Sequence, residues 1–376
     1  MATPTISSAP QPAIKSIAPT GYLPTLDGWR AIAILSVMAY HDSLHHIGSF
    51  STTWLHEHGN LGVDVFFAIS GFLICSRLIT EEDTRGVISR RNFYIRRAFR
   101  ILPAAAVFLA ALLILKAAVH LPVQLPEVLS SFFFLRNYTG SFSHFQSTYP
   151  FYTSHFWSLA VQEHFYLLLP VLLVLTHKKW RLRLLLILAI AVSLHRIAPG
   201  SRLSFHTDMR LDELLVPATL ALLLRSSLLT QPRHYHRLTQ FLRFWPAIWL
   251  LLLIPITYDL IPRTTGFLIA WLMPLAILGT MLRSQSWVSR FLENPVLRYI
   301  GRISYSLYLW QQLFMISHFG ANTARLGILQ TWPYNWLMAF VCTLFSYYLI
   351  ERPITRLGHR VAPNVAANQV DRALIA

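Results

Sequence analysis

The sequence predicts an all-α protein: a polytopic transmembrane helical bundle of about ten spans, with both termini on the cytoplasmic side. Three observations predict it. Hydrophobic residues make up 54% of the chain and charged residues only 13%, with a mean hydropathy of +0.46, more apolar than a soluble fold of this length can hide. Apolar stretches near the roughly 20 residues needed to cross a bilayer recur from Ala31 almost to Glu351. The 32 Lys and Arg, against 16 Asp and Glu, fall between those stretches rather than on one soluble face, which reads as a topology signal and not as a nucleic-acid surface.

Residues 1–24 are rich in Pro, Ser, Thr and Ala and hold no continuous apolar stretch that could serve as a signal-peptide core, so they read as a disordered cytoplasmic tail. The spans that follow are expected near 27–45, 61–80, 101–119, 156–176, 181–197, 210–226, 245–262, 265–283, 297–318 and 333–351. Basic residues cluster at Arg77 to Arg100, Lys178 to Arg183, Arg225 to Arg243, Arg283 to Arg302 and Arg352 to Arg360. With that span count every cluster lies on one side, which the excess of positive charge makes cytoplasmic. The segment 120–155 is then the largest connection on the other face, and its apolar piece Val128 to Leu135 is too short to cross, so it reads as re-entrant or interfacial. The membrane domain occupies 25–355, and 356–376 forms a cytoplasmic C-terminal tail. Cys75 and Cys342 lie within apolar runs and read as buried core residues, with no disulfide framework and no metal site.

Ionisable groups inside such a chain are expensive and mark function by default. The first span runs from Asp27-Gly28-Trp29-Arg30 to Tyr40-His41. Arg30 and His41 are almost three helical turns apart, so they share one face of the helix at a separation of about 16 Å. A helix cap and a snorkelling anchor are the structural alternatives for Asp27 and Arg30. His41 is the side chain best suited to proton transfer near neutral pH. The fourth span opens Phe156-Trp157-Ser158 and carries Gln162-Glu163 and Tyr166, which puts Glu163 at about the depth of His41. A carboxylate there is expected to hold the imidazole in its productive tautomer.

The run Arg90 to Arg100, with Arg96, Arg97 and Arg100, lies between the second and third spans and is denser than topology requires. It fits positive-inside signalling or anionic lipid, and it fits equally a clamp for the phosphates of a nucleotide-bearing donor. Arg210-Leu211-Asp212-Glu213 opens the sixth span. Ser304, Tyr308 and Gln311 follow helical spacing in the ninth, and Asp64 and Arg77 bracket the second. Each of these reads as cavity lining, an interface cap or interhelical hydrogen bonding.

Seven segments in order, LDGWRAIAILSVMAYH, GVDVFFAISGFLI, RNFYIRRAFRILP, FWSLAVQEHFYLLLP, RLDELL, YIGRISYSLYLW and SYYLIERP, resemble the acyltransferase 3 family of membrane acyltransferases through nearly the whole chain. The resemblance implies acyl transfer, commonly acetyl, from cytoplasmic acyl-CoA to a hydroxyl of a surface polysaccharide, lipid-linked sugar, peptidoglycan or small molecule. It implies function for Arg30 and His41, for Glu163, and for Arg96 and Arg97. Three departures point to a different acceptor or acyl preference. Gln162-Glu163 replaces a frequent pair of acids, Gln311 stands where a His is often found, and Pro217 stands where Gly is common. Some members carry an added soluble esterase-like domain; no segment of these 376 residues is long enough to be one.

The expected mechanism binds the phosphates of acyl-CoA, most simply acetyl-CoA, at Arg30, Arg96, Arg97 and Arg100, with the thioester reaching His41. There His41, oriented by Glu163, acts as general base on the acceptor hydroxyl. Direct transfer takes fewer steps than an acyl-His41 intermediate. Asp27, Asp64, Trp157, Ser158, Tyr166, Arg210, Asp212, Tyr308 and Gln311 are candidates to line the acceptor cavity. Acyl-CoA is a co-substrate, with no tightly bound cofactor and no metal. Membrane lipid and a sugar-containing acceptor are the expected partners, no pattern specifies an oligomeric state, and the expected site is a bacterial inner membrane. A glycolipid or polysaccharide transporter that uses the same buried charges without bond making is the alternative, and the lack of internal repeats and broken-helix signals counts against it.

Overall fold

The computed structural model describes residues 22–42, 54, 57–139, 151–198, 205–226, 232–258, 262–281, 286–315 and 325–363. All regular structure among these residues is helical. The helices are α1 (Pro24–His41), α2 (Leu61–Arg85), α3 (Arg90–Val119), α4 (Leu125–Phe132), α5 (Phe151–Ser154), α6 (Phe156–Leu175), α7 (Lys178–Ile197), α8 (Thr207–Arg210) and α9 (Asp212–Leu223). They continue with α10 (Pro232–Phe241), α11 (Trp245–Tyr258), α12 (Pro262–Met281), α13 (Trp287–Leu292), α14 (Pro295–Phe314), α15 (Tyr334–Ser346) and α16 (Arg352–Val361), with a π-helical turn at Tyr347–Glu351 joining the last two.

A helix falls on each of the ten expected stretches, and the chain is a multi-pass membrane protein. Among the described residues five helices are long and apolar enough to cross a bilayer: Leu61–Arg85, Arg90–Val119, Tyr152–Leu175, Thr264–Met281 and Tyr334–Val361. The expected sixth span is represented by α9, whose 12 residues reach only about 18 Å, short of a hydrocarbon core of about 30 Å. The expected tail 1–24 and the end of the C-terminal tail lie largely outside the described residues.

Two boundaries differ from the sequence expectation. The arginine-rich run is not a connection: Ser89 caps the helix by accepting from the Asn92 N–H, and α3 starts at Arg90, so all its arginines project from a helical surface. The C-terminal tail also starts later than expected. Its first residues continue the last helix as α16, which packs on α3, with the Arg96 guanidinium donating to the Ala362 carbonyl at 3.1 Å. The expected re-entrant piece is α4, an eight-residue helix with a Gln124/Glu127 capping box, packed against α3, α5 and α6. At about 12 Å long it does not cross.

Helix α2 is the buried axis of the bundle: 83% of its apolar window is buried, against 22% for the helix ending at Val361, which faces outward. α1 packs against α2 and α14, and α9 packs against α2 and α7. The α1–α14 contact is a close approach of backbones. A Cβ at Gly301 would stand 1.9 Å from the carbonyl oxygen of Asp27, so only glycine permits this separation, as at other small-residue helix crossings.

An ionic network joins α2, α7, α8 and α9. Arg210 pairs with Asp64 at 2.7 Å and with Glu213 at 3.0 Å. Arg196 pairs with Glu213 and, at 3.4 Å, with Asp212, which also accepts from Ser193 at 2.9 Å. Asp212, Glu213 and Arg196 are all at most 3% exposed. Each charge in this medium needs its partner, because an uncompensated one bears the full desolvation penalty.

Two stability outcomes follow. Gly301→Val should force α1 and α14 apart and lower stability by about 1–3 kcal/mol, read as a lower unfolding temperature in detergent. Glu213→Ala, which leaves Arg196 and Arg210 under-compensated, should cost about 3–5 kcal/mol. Its effect should shrink in a double variant that also removes the Arg196 guanidinium.

Candidate active site

The first group of candidates gathers at the Arg30 end of α1. Arg30 lies within electrostatic reach of Arg100, Arg77, Asp27 and Tyr166. α3 supplies Arg97 and Arg100, three residues apart and therefore on one face. Arg97 pairs with Glu163 at 3.7 Å, and its guanidinium carbon lies 3.6 Å from the centroid of the Tyr166 ring, a stacked cation–π geometry. Gln162 donates to the hydroxyls of Ser70 and Tyr166, which fixes that ring. Glu351 closes the group: it accepts from Ser306 at 2.7 Å and lies within reach of Arg100 and Arg30. Tyr305, whose hydroxyl donates to the Ile101 carbonyl at 2.8 Å, sits within reach of Glu351, Glu163, Arg97 and Arg100. Four guanidiniums, those of Arg30, Arg77, Arg97 and Arg100, meet three carboxylates here, those of Asp27, Glu163 and Glu351. That surplus of positive charge suits an anion.

Arg96 is not part of this group. One position away from Arg97 on the helix, it turns toward Glu81 at 3.6 Å and the Ala362 carbonyl, and it holds α2 and the end of α16. Asp27 is not the cap of α1: Leu23 occupies that position, and Asp27 accepts from the Tyr22 hydroxyl, which in turn accepts from Arg298 at 3.3 Å.

The second group gathers at the His41 end. His41 Nδ1 lies 2.9 Å from Gln311 Oε1. The amide orientation is set on its other side, where Gln311 Nε2 donates to Gln312 Oε1 at 3.2 Å and to the Tyr308 carbonyl at 3.4 Å. With an oxygen facing it, Nδ1 carries the proton of the neutral ring, and the lone pair is on Nε2. The next residue, Asp42, accepts from Asn335 and from the Trp336 indole N–H, both at 2.6 Å, and so ties the end of α1 to α15. Tyr308, one turn before Gln311, has its hydroxyl 2.6 Å from Ser158 Oγ and donates to the His155 carbonyl at 3.0 Å.

The expected pairing of His41 with Glu163 is therefore replaced. Gln311 holds the imidazole, and Glu163 serves Arg97 in the other group. The reason is helical rotation. Ser158 and Glu163 are five residues apart, about 140° around α6, so when Ser158 faces Tyr308, Glu163 faces elsewhere, toward α3. Asp64, Arg210 and Asp212 belong to the ionic network described above, and Trp157 borders it, with the Arg210 guanidinium 5.3 Å from its ring. Among the described residues no three His, Cys, Asp or Glu side chains converge as ligands for a metal.

The sequence reading missed Glu351, Tyr305 and His155. Glu351 had a readable signal, an acid at the end of an apolar run inside the SYYLIERP segment. His155 had a weaker one, standing immediately before FWSL. Tyr305 had none beyond its place in YIGRISYSLYLW.

Comparison with known proteins places this geometry in context. The chain is 32% identical over 365 residues to a Staphylococcus aureus (strain COL) protein named "Putative O-acetyltransferase SACOL0978", a match covering 90% of this chain and 58% of the relative. It is 29% identical over 373 residues to the peptidoglycan O-acetyltransferase OatA of Listeria monocytogenes, covering 90% of this chain and 56% of the relative. The chain thus spans somewhat more than half the length of these curated relatives. No solved structure matches it. A sequence model of the family described as an acyltransferase domain matches residues 23–352, and the chain belongs to this acyltransferase 3 family of integral membrane acyltransferases.

Proposed function

We propose that the chain transfers an acetyl group from acetyl-CoA to a hydroxyl of a sugar in a cell-surface polymer, working as a multi-pass protein of a bacterial inner membrane with the Arg30 end of α1 on the cytoplasmic side. The observation that carries this reading is the division of α1 into an arginine-rich end at Arg30 and an imidazole end at His41. The two lie on one face about 16 Å apart, a distance that an extended pantetheine arm covers. The names of the relatives, an O-acetyltransferase and a peptidoglycan O-acetyltransferase, favour acetyl as the group and a cell-wall glycan as the acceptor.

In this mechanism the donor's phosphates sit among Arg30, Arg97 and Arg100, with Arg77 adding to the field. Arg forks match phosphate oxygens in geometry and charge. Glu163 and Tyr166 hold the Arg97 guanidinium in place, so Glu163 acts on donor binding and not on the base. At the other end Gln311 accepts from His41 Nδ1, which presents Nε2 to the acceptor hydroxyl. The hydroxyl oxygen attacks the thioester carbon as His41 takes its proton. The intermediate then collapses with loss of CoA sulfur, which takes up the proton. No cofactor besides the donor is required. Ser158, Tyr308 and Trp157 with the Arg210 network beside it form the wall against which the acceptor rests.

Three outcomes test this. Purified in detergent, the wild type should release CoA and acetylate a panel of glycan acceptors. His41→Ala should still give a thermal shift with CoA and no turnover; a wild type that neither binds nor consumes any acyl-CoA would move the transporter reading ahead. Arg97→Ala and Arg100→Ala should each raise the KM for acetyl-CoA by about ten- to a hundred-fold, the worth of one charged hydrogen bond, with the wild-type KM itself rising with salt. Gln311→Leu should lower kcat by about ten-fold or more with little change in KM, because it releases the tautomer and leaves phosphate binding untouched.

A further inference from the structure

His155, directly before α6, is 2% exposed, yet among the described residues neither of its ring nitrogens has a hydrogen-bond partner. The ring is enclosed by Phe108, Phe156 and Tyr308, with centroids 5.5, 4.9 and 5.4 Å away. Its backbone carbonyl accepts from the Tyr308 hydroxyl at 3.0 Å and from Ser158 Oγ at 3.1 Å, so the residue is fixed from the main chain while its polar atoms are left unserved. Buried polar atoms in folded proteins are almost always hydrogen-bonded, and an exception calls for a ligand or a reacting group. A structural role for the ring alone is better met by phenylalanine, which fits an aromatic cage without two orphaned nitrogens.

The placement supplies the partner. His41 and His155 lie within electrostatic reach of each other, with Arg136 also felt at His155. The same face of α14 holds both: Gln311 takes the His41 ring, and Tyr308, one turn earlier, takes the His155 main chain. A thioester brought to His41 therefore comes to the region of an imidazole that has a donor to spare, since the ring carries at least one N–H in every protonation state found in proteins.

We propose that His155 is a second catalytic residue of this site, donating its ring N–H to the oxygen of the acyl carbonyl. This rests on the acetyl-transfer reading above. As the acceptor oxygen bonds to the carbonyl carbon and His41 Nε2 takes the hydroxyl proton, the carbonyl π pair moves onto oxygen, and the His155 N–H bonds to the resulting oxyanion. When the carbon–oxygen double bond re-forms, the carbon–sulfur bond breaks and the proton on His41 passes to the departing sulfur. The His155 proton stays on its nitrogen throughout. A donor fixed in a water-poor cage needs no reorientation as charge develops, the condition under which such donors are most effective.

The test compares His155→Phe, which fills the cage without an N–H, and His155→Gln, which keeps an amide N–H, with the wild type. In detergent, His155→Phe should unfold at or near the wild-type temperature and keep its thermal shift with CoA and its KM for acetyl-CoA. Its kcat should fall by about a hundred-fold or more, and His155→Gln should recover part of that loss. A His155→Phe enzyme with kcat within a few-fold of wild type, or a folded His155→Gln enzyme no better than His155→Phe, would overturn the assignment. If His155→Phe does not fold, His155→Ala with added imidazole decides: turnover restored by imidazole supports the proposal, and none overturns it. Failure of the wild type to transfer acetyl from any donor would instead sink the acetyl-transfer reading itself, so the two failures are distinguishable.

Discussion

The seating of α1 on α14 is the contact on which the site depends. Gly301 lets the Asp27 carbonyl approach where any side chain would collide, and with the two backbones this close the side chains above and below have little freedom to choose partners. Toward one end α14 presents Tyr305 and Ser306, the latter holding Glu351 beside the arginines. Toward the other it presents Tyr308 and Gln311, which hold His155 and His41. One helix thus holds side chains at both ends of its partner. In an apolar medium, where the hydrophobic effect does not drive helices together, close packing and polar contacts of this kind carry the association.

The second constraint is electrostatic. Several guanidiniums share the Arg30 end, and repulsion among them is offset only in part by Asp27, Glu163 and Glu351. In the proposed function an entering anion completes that compensation. The network of Arg196, Arg210, Asp64, Asp212 and Glu213 is different in character. Its charges are matched with one another at hydrogen-bonding distance, and it holds α2, α7, α8 and α9 in register beside Trp157. The first arrangement keeps a surplus of positive charge; the second is matched within itself.

Where the sequence expectation went astray, it did so through helix rotation and helix ends. Glu163 and His41 were matched by depth along their helices, and depth is correct for neither partnership: rotation of α6 sends Glu163 to Arg97, while His41 meets Gln311. Gln311, which the resemblance marks as a departure from the common pattern, is the residue that meets the His41 imidazole. The resemblance pairs Arg96 with Arg97, but adjacent residues on a helix point about 100° apart, and Arg96 turns to Glu81 and the Ala362 carbonyl. The arginine run, expected between the second and third spans, is the start of α3 behind the Ser89 cap.

By itself the sequence determined the membrane class, the helices on all ten expected stretches, the family, and the placement of Arg30 and His41 on one face of α1. These follow from composition, from apolar run length and from the fixed 3.6-residue period, all of which are local. Tertiary structure decided which partner each buried charge takes, that Glu351 comes near Arg30 and Arg100, and that Arg96 turns to Glu81 and the Ala362 carbonyl. Those outcomes depend on the rotation and depth of one helix against another, and side chains that meet across helices more than a hundred residues apart leave no periodic trace in either segment.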